Sequence, residues 1–249
     1  RKLAKLQNPA LVNGPKGNLI YLEIGETFEK LNMLEEAIEA YKSALEIDPN
    51  YETAYIKLGN VLKGQGKLAE AVAAYKKVLE IKPDHVTAHF NIGVILQEQG
   101  RSDEAIIAYN KALSIRSDFL NAHINLGNTF KSVGKFEEAI GAYKNAIALK
   151  PDYAEAYQNM SIAFLVSKDF EQGFKYNEWR WRTQKFIGKY LKSTKPTWNG
   201  EKQQRVLVWA EQGVGDEIMF SSILLDLHKV SSKVIVQCDV RLKSLFARS

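Results

Sequence analysis

Residues 83–116 read PDHVTAHFNIGVILQEQGRSDEAIIAYNKALSIR, and this stretch decides the fold. Apolar residues at helical spacing flank Gly100, which lies midway. The stretch therefore describes two helices that reverse at a glycine. Working outward, the same pattern returns every 34 residues. Pro15, Pro49, Pro83 and Pro151 are in phase, and Ser117 fills the vacant slot. Gly25, Gly59, Gly93 and Gly127 recur, with Ser161 next. So do Ala54, Ala88, Ala122 and Ala156, and a second series at Ala37, Ala71, Ala105 and Ala139. Tyr41, Tyr75, Tyr109 and Tyr143 each follow the second series by four residues. A third alanine series runs Ala10, Ala44, Ala112 and Ala146, with Val78 in its open slot.

The physical reading is one helical hairpin per unit. Proline stops one helix and opens the next turn. Gly66, Gly100 and Gly134 stand where the first helix must end, in a left-handed cap that favours glycine. Small residues let the helices approach, and the tyrosines are expected to fill gaps between neighbouring hairpins. One hairpin cannot bury its own apolar face, so the units must stack into a solenoid.

This pattern resembles the tetratricopeptide repeat (TPR) family, which implies a right-handed α-solenoid. Four units cover residues 17–151, and residues 152–182 form a degenerate fifth unit or capping helices. The fifth keeps Ala156 and Tyr157 but carries Ser161, Lys168, Gly173 and Asn177 at signature sites. Residues 1–16 are read as the end of a preceding repeat, although Pro9 argues against a regular helix there.

In TPR arrays the first helix of each hairpin lines the groove. At one position of that helix the chain reads Glu23, Lys57, Asn91, Asn125 and Asn159. An asparagine amide offers both donor and acceptor. A column of them can hold an extended peptide backbone, and it resembles the asparagine ladder of the O-linked N-acetylglucosamine transferase repeats. The alternative is that these residues only solvate the groove. Asn60 and Asn128 form a second column with Val94 and Ile162, read as packing. His85 and His89 are four apart, a spacing that suits a metal pair on a helix. No third ligand joins them at ligand spacing, so no metal is expected.

The chain has 249 residues, is 45% hydrophobic and 25% charged, and carries a formal charge of +5. These values exclude a disordered tail and a disulfide scaffold. Cys238 is the single cysteine, which points to a reducing, cytoplasmic compartment. No apolar run reaches membrane-spanning length. Residues 178–205 alone are net +6, while the rest sums to −1. Trp179, Trp181, Phe186, Tyr190 and Trp198 interleave with that charge. Such a segment can bind nucleic acid through phosphates and stacking. The favoured reading is a cap on the solenoid followed by a basic aromatic linker, residues 183–204, with a turn-rich boundary at 195–200.

After Gln204 the period changes. Val206–Ala210 and Val234–Cys238 read as buried parallel strands around a glycine turn and a helix, a Rossmann-type βαβ start at residues 205–249. The turn is Glu211-Gln212-Gly213-Val214-Gly215-Asp216-Glu217, with Ile218 where a dinucleotide fingerprint has its third glycine. Its three carboxylates oppose a pyrophosphate, although Asp239 could serve a ribose. A carboxylate at a helix N-terminus suits a general base, or simply an N-cap. Pro196-x-Trp198-x-Gly200-Glu201 followed by this turn resembles the heptosyltransferase-like, GT-B glycosyltransferase domain that follows TPR arrays in bacterial proteins. The resemblance implies Asp216 as catalytic base, Glu211, Gln212, Gly213 and Gly215 as a substrate loop, and a nucleotide sugar as donor for the full-length protein. The expected function is a TPR scaffold that recruits a protein or extended peptide for sugar transfer. A pure interaction scaffold is the alternative. With only two strands of a Rossmann half, the chain is expected to be a fragment without transferase activity or cofactor of its own.

Overall fold

In the computed structural model the described residues are 16–183, 205–209, 229–230 and 232–237. The chain divides into two compact units, Arg1–Trp179 and Arg180–Ser249. Each is taken by itself below.

The first unit is a row of helical hairpins. Gly17–Lys30 (α1) and Leu34–Ile47 (α2) form the first, Glu52–Gly64 (α3) and Leu68–Ile81 (α4) the second. Val86–Glu98 (α5) and Ser102–Ile115 (α6) form the third, Leu120–Ser132 (α7) and Phe136–Leu149 (α8) the fourth. Ala154–Val166 (α9) and Phe170–Asn177 (α10) form a fifth, followed by a 3₁₀-helix at Glu178–Arg182. Each second helix packs on its own first helix and on the first helix of the next hairpin. The first helices also touch along the row, α5 with α7 and α7 with α9.

The reversal inside each hairpin has one geometry. Asn32, Gly66, Gly100, Gly134 and Lys168 sit in steps of 34, all at positive φ between 57° and 78°. The following amide donates to the carbonyl five residues back, from Met33 to Phe28, Lys67 to Leu62, Arg101 to Leu96, Lys135 to Phe130 and Asp169 to Phe164, each at 2.9 Å. This closes the orphan carbonyls of the first helix in a Schellman cap. The three glycines behave as the sequence implies. Asn32 and Lys168 show that the cap is imposed by the flanking helices even where the residue resists it.

The turn between hairpins is equally regular. Asp48, Lys82, Arg116 and Lys150 are extended, with φ between −133° and −138°. Residues before proline prefer this region. Arg116 adopts it ahead of Ser117, so the packing of the row holds the turn even without the ring.

The glycine and tyrosine series explain each other. Tyr41, Tyr75, Tyr109 and Tyr143 have no exposed surface. A Cβ placed on Gly59, Gly93 or Gly127 would lie 2.6–2.7 Å from the ring of Tyr75, Tyr109 or Tyr143, and Gly25 stands in the same relation to Tyr41. The tyrosine thus fills the notch its own hairpin leaves, rather than a gap between neighbouring hairpins. Each buried ring contributes on the order of 2–3 kcal/mol. The alanine series Ala37, Ala71, Ala105 and Ala139 is likewise fully buried.

At the far end of this unit the aromatics divide. Trp179 stacks on Tyr157 with centroids 3.9 Å apart, and Tyr176 packs on Tyr157 and Phe164. Tyr157, Phe164 and Tyr176 pack against the last core cluster. Phe174 does not join them. It pairs with Phe170 on an exposed face of α10.

In the second unit, Arg205–Trp209 (β1) and Lys233–Gln237 (β2) pair in parallel, from Arg205 with Lys233 to Trp209 with Gln237. Both strands begin one residue before the segments read from sequence. A parallel pair needs a long crossover. Most residues of that crossover, including the glycine turn, lie outside the described residues. So do residues 1–15, the boundary at 195–200, and all of the linker except Thr183.

Candidate functional site

The row of first helices brings the predicted groove residues to equivalent places. None of them stands alone. Lys57 Nζ lies 2.8 Å from Glu26 Oε1 of the preceding hairpin. Asn91 is buried, and its Nδ2 donates to Asn60 Oδ1 at 3.2 Å. The Asn125 side chain acts on the Tyr109 hydroxyl of the preceding hairpin, lowering its pKa against the effect of burial. Asn159 Oδ1 accepts from Lys131 Nζ at 2.8 Å. Lys57, Asn91 and Asn159 therefore tie their hairpins to the ones before them. Glu23, the first in phase, is exposed.

These ties meet a second network that the period of 34 hides. A buried tyrosine hydroxyl must find an acceptor. Tyr41 donates to Glu29 Oε2, and Tyr109 donates to Gln97 Oε1 at 2.7 Å. Tyr75 donates instead to Asn60 Oδ1, and Tyr143 to Asn128 Oδ1, both at 2.7 Å. The acceptor thus alternates between two turns of the first helix, with a true period of two hairpins. Where asparagine accepts, the other position carries a lysine, Lys63 or Lys131, which has no acceptor to offer. Asn60 and Asn128 are hydrogen-bonding residues and not mere filler. Burial pushes all four tyrosine hydroxyls far above the ordinary tyrosine range; a carboxylate, Glu29, adds to this at Tyr41, and Asn125 opposes it at Tyr109.

Lys131 is the site residue that sequence reading missed. Its ammonium is half-buried, and burial lowers its pKa from the usual lysine value. Its one hydrogen bond among the described residues goes to a neutral amide, Asn159. Lys57, by contrast, has its carboxylate. At the other end of the row, Glu26, Glu29, Lys30 and Lys57 line an open cavity of about 420 Å³.

The histidines are structural. His85 Nδ1 accepts from the Ala88 amide and caps α5. His89 Nε2 meets the Pro83 carbonyl at 2.8 Å, and His123 Nε2 the Ser117 carbonyl at 2.9 Å. Those carbonyls fix the ring orientation one repeat apart. No group of three metal-ligating side chains occurs among the described residues, and none of the described helices is long and apolar enough to cross a membrane. In the basic segment, the Arg180 guanidinium lies 4.4 Å over the Trp181 ring. Asp216, Glu211, Gln212, Gly213 and Gly215, with most of that basic segment, lie outside the described residues.

The helical periods and the shared Schellman turns agree with comparison to known proteins. One tetratricopeptide repeat family model matches residues 50–118, and a second matches 25–66 and 128–165. The helical unit is a TPR array. Among solved structures similar to this chain, the MamA protein is 26% identical, covers 74% of this chain and all of its own, with a TM-score of 0.64. YrrB, described as a TPR protein with an unusual peptide-binding site, is 21% identical over 68% of this chain and 87% of its own, at TM-score 0.58. The pilF protein of Pseudomonas aeruginosa is 20% identical over 66% and 75%, at 0.59. At such identities YrrB and pilF share the TPR fold alone. No curated protein matches the chain.

Proposed function

We propose that the TPR array is a protein-interaction scaffold whose row of first helices captures an extended segment of a partner protein. The observation that carries this reading is the polar column Lys57, Asn91, Asn125 and Asn159, repeated at one helical phase on α3, α5, α7 and α9. A regular column suits a ligand that is itself regular, an extended backbone whose amides and carbonyls recur along its length. The ties to preceding hairpins pre-organise the column, so less side-chain entropy is lost on binding. The peptide-binding site named for YrrB shows what the same fold supports elsewhere. Arrays of short unstructured peptides, probed with the full chain, test the proposal. Binding should weaken at least about tenfold in Asn125→Ala/Asn159→Ala, with helicity unchanged. Retained binding in that variant overturns it.

A second reading has one observation in its favour, the parallel pairing of β1 with β2. Parallel strands joined by a crossover suit the start of an α/β domain. On this reading the array delivers its captured segment to a glycosyltransferase-like domain in the full-length protein, with Asp216 as the base that deprotonates an acceptor hydroxyl. Asp216→Asn in the full-length gene product should abolish sugar transfer while leaving the fold intact. Turnover at the wild-type rate sinks the base assignment.

A further inference from the structure

We propose that α10 is a self-association surface, through which two copies of this chain pair about a two-fold axis. The inference is independent of the groove reading above. Two observations carry it. The first is an uncovered aromatic face. Phe170 and Phe174 stack with centroids 6.5 Å apart and are 56% and 63% exposed. In the fourth hairpin Phe136 and Ile140 hold these positions. There Phe136 packs against the last core cluster, and Ile140 lies within it at 8% exposed. The array covers this face in its interior, and at α10 it stays open. Exposed apolar residues scattered singly are ordinary, but two stacked rings one helical turn apart make a contiguous patch.

The second observation is charge. Glu171 and Lys175 are exposed beside the two rings, also one turn apart. The earlier second helices never set an acid and a base at these two positions; α2 has Glu35 and Glu39, and α8 has Glu137 and Gly141. The pattern on α10 is self-complementary. When two α10 helices cross antiparallel with the axis level with Gly173, residues equally far before and after Gly173 lie opposite each other. Glu171 of each copy then meets the partner's Lys175, and the two Phe174 rings flank the axis. A parallel crossing sets Glu171 against the partner's Glu171, which like charges disfavour. An isologous contact of this kind closes at two copies. The rings supply the attraction and the ion pairs fix the register. The patch is one face of a two-turn helix, so the pairing belongs to the weak, concentration-dependent class.

Analytical ultracentrifugation of the full chain from about 1 to 500 μM tests the proposal. The mean mass should rise reversibly from one chain toward two. Phe174→Lys should weaken pairing at least about tenfold, with helicity unchanged. Glu171→Lys and Lys175→Glu should each weaken it at least about fivefold, since each turns both ion pairs into like-charge contacts. Mixed in equal amounts, these two variants should pair about as tightly as the wild type, because every charge across the axis again meets its opposite. The double variant Glu171→Lys/Lys175→Glu should recover in the same way. A single-chain mass across the whole range overturns the proposal and leaves the face to another segment of the chain or to another protein. An assembly larger than two chains, pairing that survives Phe174→Lys, or a mixture no tighter than its components overturns it as well.

Discussion

The first four hairpins and the fifth solve one packing problem in two ways. In the first four, a glycine on the first helix opens a notch and a tyrosine from the second helix fills it. The fifth replaces both partners. Ser161 stands at the glycine position and Asn177 at the tyrosine position. With the ring gone, a side chain fits on the first helix, and Ser161 Oγ donates to the Gly173 carbonyl at 2.8 Å. Gly173 replaces the usual alanine, and Leu165 fills the space, since a Cβ there would lie 2.5 Å from the leucine Cδ2. Ile162 and Leu165 occupy the two positions that elsewhere accept the tyrosine hydroxyl, and here no hydroxyl needs an acceptor. Signature losses that look like decay are a concerted exchange.

The largest effect separates the two solutions directly. Gly93→Ala drives a methyl into the Tyr109 ring, which lies between two packed helices and has no room to retreat. It should cost about 3 kcal/mol, read as a fall in the thermal or urea midpoint. Ser161→Ala in the fifth hairpin should cost only about 1 kcal/mol, for one lost hydrogen bond. Equal costs would mean that the Gly–Tyr notch is not what distinguishes the hairpins.

The alternating acceptor offers the next test. Asn60→Val leaves the buried Tyr75 hydroxyl unpaired and also frees the Asn91 amide, so it should cost about 2 kcal/mol. Adding Lys63→Gln copies the third hairpin, where Val94 and Gln97 hold these two positions and Tyr109 is satisfied. The double variant should recover at least about 1 kcal/mol of that loss, and a double-mutant cycle measures the coupling. Simple additivity would break the claim that the two positions are interchangeable acceptors.

These features differ in how far the sequence exposes them. The hairpins, their turns at Gly66, Gly100 and Gly134, and the buried Tyr series are legible because each depends on one residue type at one phase. The acceptors are legible only in part: Asn60 and Asn128 stand out in one column but read as packing, because Glu29 and Gln97 take the same role at another phase. Reading at 68 adds what the column lacks, the pairing of Lys63 with Lys131 and of Glu29 with Gln97. The groove column is legible as positions. That Lys57, Asn91 and Asn159 bind the preceding hairpin is tertiary, and follows only once the first helices are placed side by side. Lys131 escapes sequence reading for the same reason, since a lysine near a helix end is ordinarily solvated.

The cap residues allow a smaller test of the same contrast. The fifth hairpin places Lys168 at φ 67°, where the second, third and fourth hairpins use glycine. A non-glycine residue in the left-handed region is strained by about 1–2 kcal/mol, partly offset by the greater freedom of glycine in the unfolded chain. Lys168→Gly should therefore stabilise the fifth hairpin by about 0.5–1 kcal/mol, and Gly100→Ala should destabilise the third by a similar amount. Hydrogen exchange resolves the two locally. A loss on Lys168→Gly would mean that the lysine makes contacts that outweigh its backbone strain.

The smallest effect concerns pH and a single hairpin. His85 caps α5 through Nδ1, the one side-chain cap among the first helices. Burial is the main cause lowering its pKa from the ordinary histidine value of 6.5; Lys82 and His89 act with it, and Glu52 opposes them. The unfolded chain therefore takes up the proton first. The cap is fully present above pH 6.5, and its contribution falls as pH drops through that value toward the lower folded pKa. Because the ring is only partly buried, the loss between pH 7.5 and 5.5 should stay below about 1 kcal/mol. His85→Asn keeps a capping oxygen and removes the titration, so its stability should be flat across this window apart from the background shared by both proteins. Tyr51, Phe119 and Tyr153 hold the equivalent position in the other hairpins and make no such cap. Amide protection in α5, relative to the intrinsic exchange rate at each pH, should thus fall with pH more than in α3 and α7, and a uniform change in protection along the row would break the assignment to His85.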